Sequence, residues 1–255
     1  MPTLQNLREV VEESLDRASN ALQMFRLDEK LAKARSMVKD LPPFRRMHLG
    51  YGEQSWSAIL FVDLRSSTAR AKEHGVRDTY LTMHALLPAL AFMVGESSGY
   101  VVGFRGDGLF AAFGLGENGK NPQDLDRART LSSACQCGQW MLEGLEVVNE
   151  LLVERECVGR LALGVGVDVG DIIVTRIGFR EMDEVTAYGN AVNRAAKLSG
   201  IGSGSILISD AADRLFPTTK EGRVTTHPVK EDPNARRVVY PVRLLQPGPI
   251  GVERG

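Results

Sequence analysis

The 255-residue chain is 43% hydrophobic and 25% charged, which is typical of a globular protein with a substantial core. Its formal net charge of −1 provides no overall basic field for nucleic acid or for an anionic membrane. No apolar run reaches the roughly 20 residues that span a bilayer, the first residues lack a secretory segment, and three cysteines are too few for a disulfide framework. These properties predict a soluble, cytoplasmic protein with no nucleic-acid partner and no membrane span.

The first part of the chain predicts a helix over residues 3–40. An apolar residue recurs every seven positions, at Leu4, Val11, Ala18 and Phe25. This stripe fits either packing of the helix on its own domain or, because the spacing is heptad-like, a dimerisation helix. Leu41-Pro42-Pro43 then ends the helix. We therefore divide the chain into an N-terminal helical segment, residues 1–50, and a domain, residues 51–255.

The domain begins with a strand followed by helices. The short apolar run of residues 57–62 predicts a buried strand that ends at Asp63. The next helix can be capped by a hydroxyl side chain of Ser66, Ser67 or Thr68. Residues 77–97 have a helical pattern, which we expect to be interrupted or kinked around Pro88.

The following segments predict two hairpins. Apolar strands at 100–104 and 109–113 flank the tight turn Arg105-Gly106-Asp107-Gly108. After a predicted helix over residues 122–154, a second hairpin is expected from residues 161–167 and 171–177, turning at Val169-Gly170.

The remaining elements are a helix, a strand and a terminal strand pair, at residues 190–199, 205–209 and 223–245. The order of elements predicts an α+β fold in which a ferredoxin-like βαββαβ core carries extra strands.

Two aspartates stand where this fold would bring them together. Asp63 follows the first strand, and Asp107 lies in the turn of the first hairpin. If these strands are neighbours, both carboxylates project from one edge of the sheet and can bind Mg²⁺ or Mn²⁺. Two such ions could bridge a triphosphate and activate an attacking hydroxyl group. An isolated aspartate at either position would more often be a helix cap or a turn residue.

Four segments resemble, in order, the motifs of class III adenylate and guanylate cyclases. Residues 61–68, FVDLRSST, resemble the first metal motif, F-x-D-[IL]-x-x-[SF]-T, and residues 106–113, GDGLFAAF, are similar to the second. Residues 164–174, GVGVDVGDIIV, and residues 188–198, YGNAVNRAAKL, resemble the glycine-rich segment and the asparagine motif. Each motif alone is weak, but four in the family's order are specific.

The resemblance implies a homodimer with shared active sites acting on a nucleoside triphosphate. One protomer would hold two divalent metal ions, Mn²⁺ or Mg²⁺, at Asp63, Leu64 and Asp107. The other would supply the catalytic residues Asn193, which orients the ribose, and Lys197, where the family usually has arginine. Lysine keeps the charge but not the two-pronged geometry, so Arg194 is an alternative cation. The substrate would contact Phe61, Arg65, Ser66, Ser67 and Thr68. In the loop of residues 65–68, backbone N–H groups at a helix N-terminus favour anions.

The positions that read the base depart from the family pattern. Adenylate cyclases carry lysine four residues before the second metal aspartate, where this chain has Gly103. They commonly carry aspartate, sometimes threonine, where it has Thr186. Arg105, Arg176 and Tyr188 are nearby candidates for reading another base. The chain most resembles the pyrimidine cyclases of the Pycsar antiphage system. That resemblance implies cyclic UMP, slightly favoured over cyclic CMP, as a messenger for a separate effector.

Other functions fit parts of the sequence. An adenylate cyclase remains an alternative substrate assignment, and a catalytically dead cyclase fold could bind nucleotides without turnover. Residues 114–121, GLGENGKN, nearly match a P-loop, but Asn121 replaces the hydroxyl residue that binds Mg²⁺. A diguanylate cyclase is also a weaker alternative, because the G-G-[DE]-E-F run of those enzymes is absent.

Overall fold

The computed structural model describes residues 3–25, 47–115, 126–157, 159–179, 182–216 and 224–245. The helices are α1 Leu4–Phe25, α2 Ser67–Glu96, α3 Arg127–Glu154, α4 Asn190–Ile201 and α5 Asp210–Leu215. The strands are β1 Gly52–Leu64, β2 Gly99–Arg105, β3 Gly108–Phe113, β4 Leu163–Phe179, β5 Met182–Tyr188, β6 Ser205–Ser209, β7 Thr225–Pro228 and β8 Ala235–Val239.

One sheet organises these elements, with β1 near its centre. The strand order is β2-β3-β1-β4-β6-β8-β7, and β5 pairs with β4 off this path. Among the first four strands, each neighbouring pair (β2–β3, β3–β1 and β1–β4) is antiparallel. Helix α2 connects β1 to β2, and α3 connects β3 to β4. The predicted α+β fold with a ferredoxin-like βαββαβ core is therefore confirmed, and β5 to β8 are the extra strands.

Both faces of the sheet are covered, which explains why β1 contains a continuous apolar run. Ala58, Leu60 and Val62 face the core formed with α1, α2 and α3. Ile59 and Phe61 alternate with them and face a second core, which includes Ala191 and Ala195 of α4. Helix α4 therefore lies on the face of the sheet opposite to the other long helices.

Helix α1 packs on its own chain. Its apolar stripe is at most 1% exposed at Leu7, Val11, Leu15 and Ala18, and lies in the core with α2 and α3. Arg8 adds ion pairs to glutamates of α3. Of the two predicted roles of the apolar stripe, packing of the helix on its own domain therefore describes α1. The predicted continuation to residue 40 and the Leu41-Pro42-Pro43 stop lie outside the described residues.

Helix α2 is interrupted at Gly75, and the interruption predicted around Pro88 is not found. The non-helical backbone lies at Gly75, with φ 80° and ψ −175°, whereas Pro88 lies inside the helical run. This positive φ suits glycine, which has no side chain to clash with the preceding carbonyl. The helix begins at Ser67, within the stretch of hydroxyl residues predicted to cap it, and includes most of the predicted 77–97 segment.

The predicted hairpin turn at Val169-Gly170 is also wrong. β4 continues through it and pairs with β1 from Leu163 to Thr175, with Gly170 opposite Ser57. The glycines of β4 serve helix packing instead. A Cβ on Gly166 would lie 2.1 Å from the carbonyl oxygen of Ala195, so the bare backbone lets α4 approach the sheet. The strand partner of β4 beyond this point, β5, was not predicted.

The other elements agree with the sequence. The hairpin of β2 and β3, helix α4, strand β6 and the terminal pair β7–β8 are confirmed. Helix α3 begins at Arg127, where the Asp126 side chain accepts a hydrogen bond from the Arg129 amide, at 3.0 Å. Residues 116–125, which include most of the P-loop-like segment, lie outside the described residues.

Candidate active site

The two motif aspartates meet at one edge of the sheet. β1 pairs with β3, and Val62 lies opposite Leu109, so the strand end at Asp63 adjoins the turn that contains Asp107. This close approach requires Gly108, because a Cβ there would lie 2.1 Å from the Val62 carbonyl oxygen. The turn itself uses Gly106 at φ 60°. Asp63 and Asp107, hereafter the carboxylate pair, therefore have the expected arrangement.

The carboxylate pair concentrates negative charge. Burial is the largest influence raising the pKa of Asp63 above its ordinary value, and the nearby charge of Asp107 raises it further. Arg65 opposes this increase by donating a hydrogen bond to Asp63 Oδ2 within a close ion pair. Two like charges held this close favour the binding of a cation.

The donor chemistry fits a divalent ion that shares its ligands with a substrate. The described residues contain no group of three or more His, Cys, Asp or Glu side chains that could hold a metal. The protein thus offers the carboxylate pair, and since the Leu64 side chain is a hydrocarbon, that residue could contribute only its carbonyl oxygen. Oxygen ligands from phosphates or water would complete the sphere that Mg²⁺ or Mn²⁺ requires.

The loop after β1 leads from the carboxylate pair into α2. Ser66 is the N-cap in a left-handed conformation, φ 58°, but its side chain makes no capping hydrogen bond. Ser67 and Thr68 form the first turn, where main-chain N–H groups are available to an anion. A cavity of about 530 Å³ beside them is lined by Leu64, Ser67, Thr68, Arg70, Ala71, Lys72, Thr79, Thr82, Met83, Gly106 and Asp107.

A second cluster joins Gly103 and Thr186, the two positions that the family resemblance assigns to reading the base. Arg105 donates a 2.9 Å hydrogen bond from Nη2 to Thr186 Oγ1 and lies 3.7 Å from Glu184 Oε1. Thr186 is only 4% exposed. A Cβ on Gly103 would lie 3.5 Å from Arg105 Nη1, so the guanidinium lies over the bare backbone of Gly103. We call Gly103, Arg105, Glu184 and Thr186 the Arg105 cluster.

Aromatic rings lie beneath this cluster. Phe61 and Phe110 are directly opposite each other on β1 and β3 and stack with centroids 4.8 Å apart and an interplanar angle of 4°. The guanidinium of Arg105 lies 6.0 Å from the Phe110 centroid, at the outer limit of a cation–π contact. Phe61 therefore links the carboxylate pair to the Arg105 cluster along one strand.

The other two candidate base readers have different surroundings. Arg176 donates to Asp183 Oδ2 at 2.8 Å and to the Met47 carbonyl oxygen at 3.4 Å, so it joins the two strands of the β4–β5 hairpin to the segment before β1. Tyr188 is 56% exposed and lies opposite Ile173, which is 50% exposed.

Helix α4 presents its candidate catalytic residues to the outside. Asn193 and Lys197 are both exposed and lie one helical turn apart. Neither side chain bonds to another residue in the described ranges. Arg194, the alternative cation, instead pairs with Asp232 at 3.0 Å and donates to the Asn234 carbonyl oxygen at 3.1 Å. Lys197 is therefore the cation of α4 that remains available to a ligand.

Sequence reasoning missed two contacts that define these clusters. The bond from Arg105 to Thr186 joins residues 81 positions apart and depends on the unpredicted strand β5. The pair of Arg65 with Asp63 is local, and two opposite charges at positions i and i+2 beyond a strand end could have suggested it. Glu184 had no sequence pattern to mark it.

Comparisons with known proteins agree with the motif assignment. The model of the adenylate and guanylate cyclase catalytic domain matches residues 52–230. An uncharacterized protein of Mycobacterium tuberculosis is 24% identical over 196 residues, which are 77% of this chain and 32% of that protein. A uridylate cyclase of Treponema porcinum is 20% identical over 202 residues, which are 76% of this chain and 67% of that protein.

Among solved structures, the adenylyl cyclase CyaB from P. aeruginosa superimposes with a TM-score of 0.60 at 18% identity, covering 74% of this chain and 94% of that one. This likeness shows the fold. The chain spans about a third or less of the first curated relatives it matches, 32% of one and 25% of another. Among the helices of the described ranges, none has the length and apolarity to cross a membrane.

Proposed function

Because this chain belongs to the adenylate and guanylate cyclase catalytic domain family, we propose that it is a nucleotidyl cyclase acting on a pyrimidine triphosphate. The reaction converts UTP or CTP to the 3′,5′-cyclic monophosphate and pyrophosphate. UTP is the slightly preferred substrate. The 20% identity to a uridylate cyclase supports the pyrimidine assignment weakly, and the Arg105 cluster supports it more directly.

The carboxylate pair supports the chemical step. Two Mg²⁺ or Mn²⁺ ions held by Asp63, Asp107 and the Leu64 carbonyl would lower the pKa of the ribose 3′-hydroxyl and offset the charge of the phosphates. Ser67 and Thr68 position the phosphates through their main-chain N–H groups. The 3′-oxygen then bonds to the α-phosphorus as the bond to pyrophosphate breaks. The residues act through placement and charge.

The second half of the site comes from another copy of the chain. Asn193 and Lys197 are exposed on α4 with no bonding partner among the described residues, as expected of groups that meet a ligand at a protomer interface. In a head-to-tail homodimer, each carboxylate pair faces the partner's α4. Asn193 orients the ribose, and Lys197 stabilises negative charge on the triphosphate.

One observation supports the choice of base, namely the position of Arg105 over Gly103. Its guanidinium narrows the space that a purine would occupy, and it offers hydrogen-bond donors alone. The O4 carbonyl of uracil accepts such bonds, whereas the corresponding exocyclic amine of adenine is itself a donor. Guanine, whose O6 and N7 also accept, is disfavoured by the narrowed space alone. Cytosine offers a carbonyl oxygen and a ring nitrogen as acceptors. The Thr186 hydroxyl can donate to or accept from either pyrimidine.

The resemblance to the Pycsar cyclases extends the proposal to biology. The cyclic pyrimidine nucleotide would act as a second messenger in antiphage defence and would be read by a separate effector protein. The binding site for the cyclic product would then lie on that effector and not on this chain.

A substrate panel tests the reaction. The purified protein is incubated separately with ATP, GTP, CTP and UTP in the presence of Mn²⁺, and each product is identified by mass. We expect cyclic UMP or cyclic CMP as the main product. Cyclic AMP as the main product would favour the adenylate cyclase alternative, and no product from any triphosphate would favour a dead cyclase fold.

A mixing experiment tests the shared site. Asp63→Ala and Asn193→Ala are each inactive as homodimers if every site needs both residues. After subunit exchange, half of the dimers are mixed and each has one intact site, so about a quarter of the wild-type activity returns. Two Asp63→Ala preparations mixed together provide the control. Exchange without recovery would contradict the two-protomer arrangement.

A further inference from the structure

Arg65 makes contacts that a phosphate-binding role does not explain. Its Nη2 donates to Asp63 Oδ2, and its Nη1 donates to the Gly200 carbonyl oxygen at 2.7 Å. Gly200 lies in the last turn of α4. One guanidinium thus joins a carboxylate at the end of β1 to the C-terminal end of the helix on the opposite face.

The surroundings of Arg65 fix its position but leave one of its hydrogen-bond donors without a partner among the described residues. A Cβ on Gly164 would lie 3.3 Å from Arg65 Cζ and 2.2 Å from the Ser199 carbonyl oxygen, so the bare strand accommodates both the guanidinium and the helix end. The Arg65 side chain is 20% exposed. That donor is the buried Nε. An unpaired buried donor costs free energy, so it destabilises this position of the Arg65 side chain.

We propose that Arg65 is a positioning residue with two actions. It pairs with the Asp63 carboxylate while no divalent ion is bound there, and it couples the binding of that ion to a change at α4. A divalent ion and the guanidinium compete for the same carboxylate oxygens. When the ion binds, Arg65 withdraws from Asp63, and its bond to Gly200 changes.

This link has a consequence for the dimer, which rests on the proposed function. The α4 that Arg65 touches is in its own protomer, whereas the Asn193 and Lys197 of that helix serve the partner's carboxylate pair. Arg65 therefore connects the metal occupancy of one site to the catalytic helix of the other. The two sites of a dimer are coupled through this side chain.

Mn²⁺ binding without nucleotide tests the competition. Free Mn²⁺ is measured by electron paramagnetic resonance during titration of wild type, Arg65→Gln and Arg65→Lys. Removing the competing charge should tighten Mn²⁺ binding by about three- to tenfold in Arg65→Gln, whereas Arg65→Lys should stay near wild type. Arg70→Gln is the matched control, because Arg70 bonds to the Gly159 carbonyl oxygen and Thr82 instead of Asp63.

Hydrogen exchange tests the link to α4. Mn²⁺ should change amide exchange over residues 198–204 in wild type and leave it unchanged in Arg65→Gln and Arg65→Lys. Neither substitute has two separate donor nitrogens like those with which Arg65 contacts Asp63 and Gly200. Arg65→Lys is the variant that also retains the charge. A purely structural role for Arg65 would alter thermal stability without tightening Mn²⁺ binding.

Unchanged or weaker Mn²⁺ binding by folded Arg65→Gln would overturn the inference, as would absence of binding by both proteins. The substrate panel separates these failures from failure of the proposed cyclase activity, because product formation by wild type does not depend on Arg65 competing for the ion.

Discussion

The carboxylate pair and the Arg105 cluster are assembled in different ways. Asp63 and Asp107 become neighbours through one ladder, β1 with β3, and a glycine turn. Arg105 reaches Thr186 only because the β4–β5 hairpin returns across the sheet. The group proposed for the chemistry therefore depends on short motifs and one strand pairing, whereas the group proposed for the base depends on a long-range contact. A substitution that displaces the β4–β5 hairpin can therefore alter the Arg105 cluster and leave the carboxylate pair in place.

The largest expected effect comes from removing one member of the carboxylate pair. Asp107→Asn should lower kcat/KM by about a thousandfold or more, since metal-assisted charge stabilisation contributes several kcal/mol. It should also lower the raised pKa of Asp63, because the Asp107 charge contributes to that increase. Activity assays and a carboxyl pH titration by NMR measure the two effects.

Asp171→Asn provides the control for this prediction, because Asp171 is an exposed aspartate of β4. It should leave both quantities unchanged. Full activity in Asp107→Asn would contradict the metal-binding role of the carboxylate pair. The proposed difference in function between this pair and the Arg105 cluster would then be wrong.

A smaller effect is expected at the Arg105 cluster, confined to selectivity. Arg105→Gln should reduce the ratio of pyrimidine to purine kcat/KM by about ten- to a hundredfold, the usual range for losing a base-reading hydrogen bond. Competition assays with UTP and ATP measure this ratio. Arg176→Gln is the matched control, because Arg176 pairs with Asp183. An equal loss with all four triphosphates would show that Arg105 serves the chemistry instead.

The smallest effect concerns Asp168, a carboxylate outside both regions. It is 7% exposed, and burial raises its pKa above the ordinary 3.8, although a hydrogen bond from Ser209 partly opposes this. Between pH 3.8 and the raised folded-state pKa, the folded protein binds more protons than the unfolded chain, so stability falls as pH rises. Asp168→Asn should flatten this slope and leave catalysis unchanged.

Thermal unfolding between pH 4 and pH 7 measures the slope for wild type and Asp168→Asn. A steeper fall in the variant would show that the Asp168 charge stabilises the fold. The contrast with Asp63 is informative, because the pKa of both aspartates is raised by burial while only Asp63 has a second carboxylate beside it.

Most of the architecture follows from local patterns in the sequence. Short apolar runs and turn residues predicted β1, the β2–β3 hairpin and β6, and a helical pattern predicted α4. The motifs also indicated which aspartates would meet, since their positions at a strand end and in a hairpin turn leave little freedom.

Tertiary structure decided what local patterns could not. Val169-Gly170 has the composition of a turn, but thirteen residues of β1 pair with β4 and the β4 glycines receive α4, so the strand continues. The same long-range packing joined Arg105 to Thr186 and Arg65 to Gly200. These contacts link residues far apart in sequence, so they depend on how the sheet and α4 assemble and leave no periodic trace in the chain.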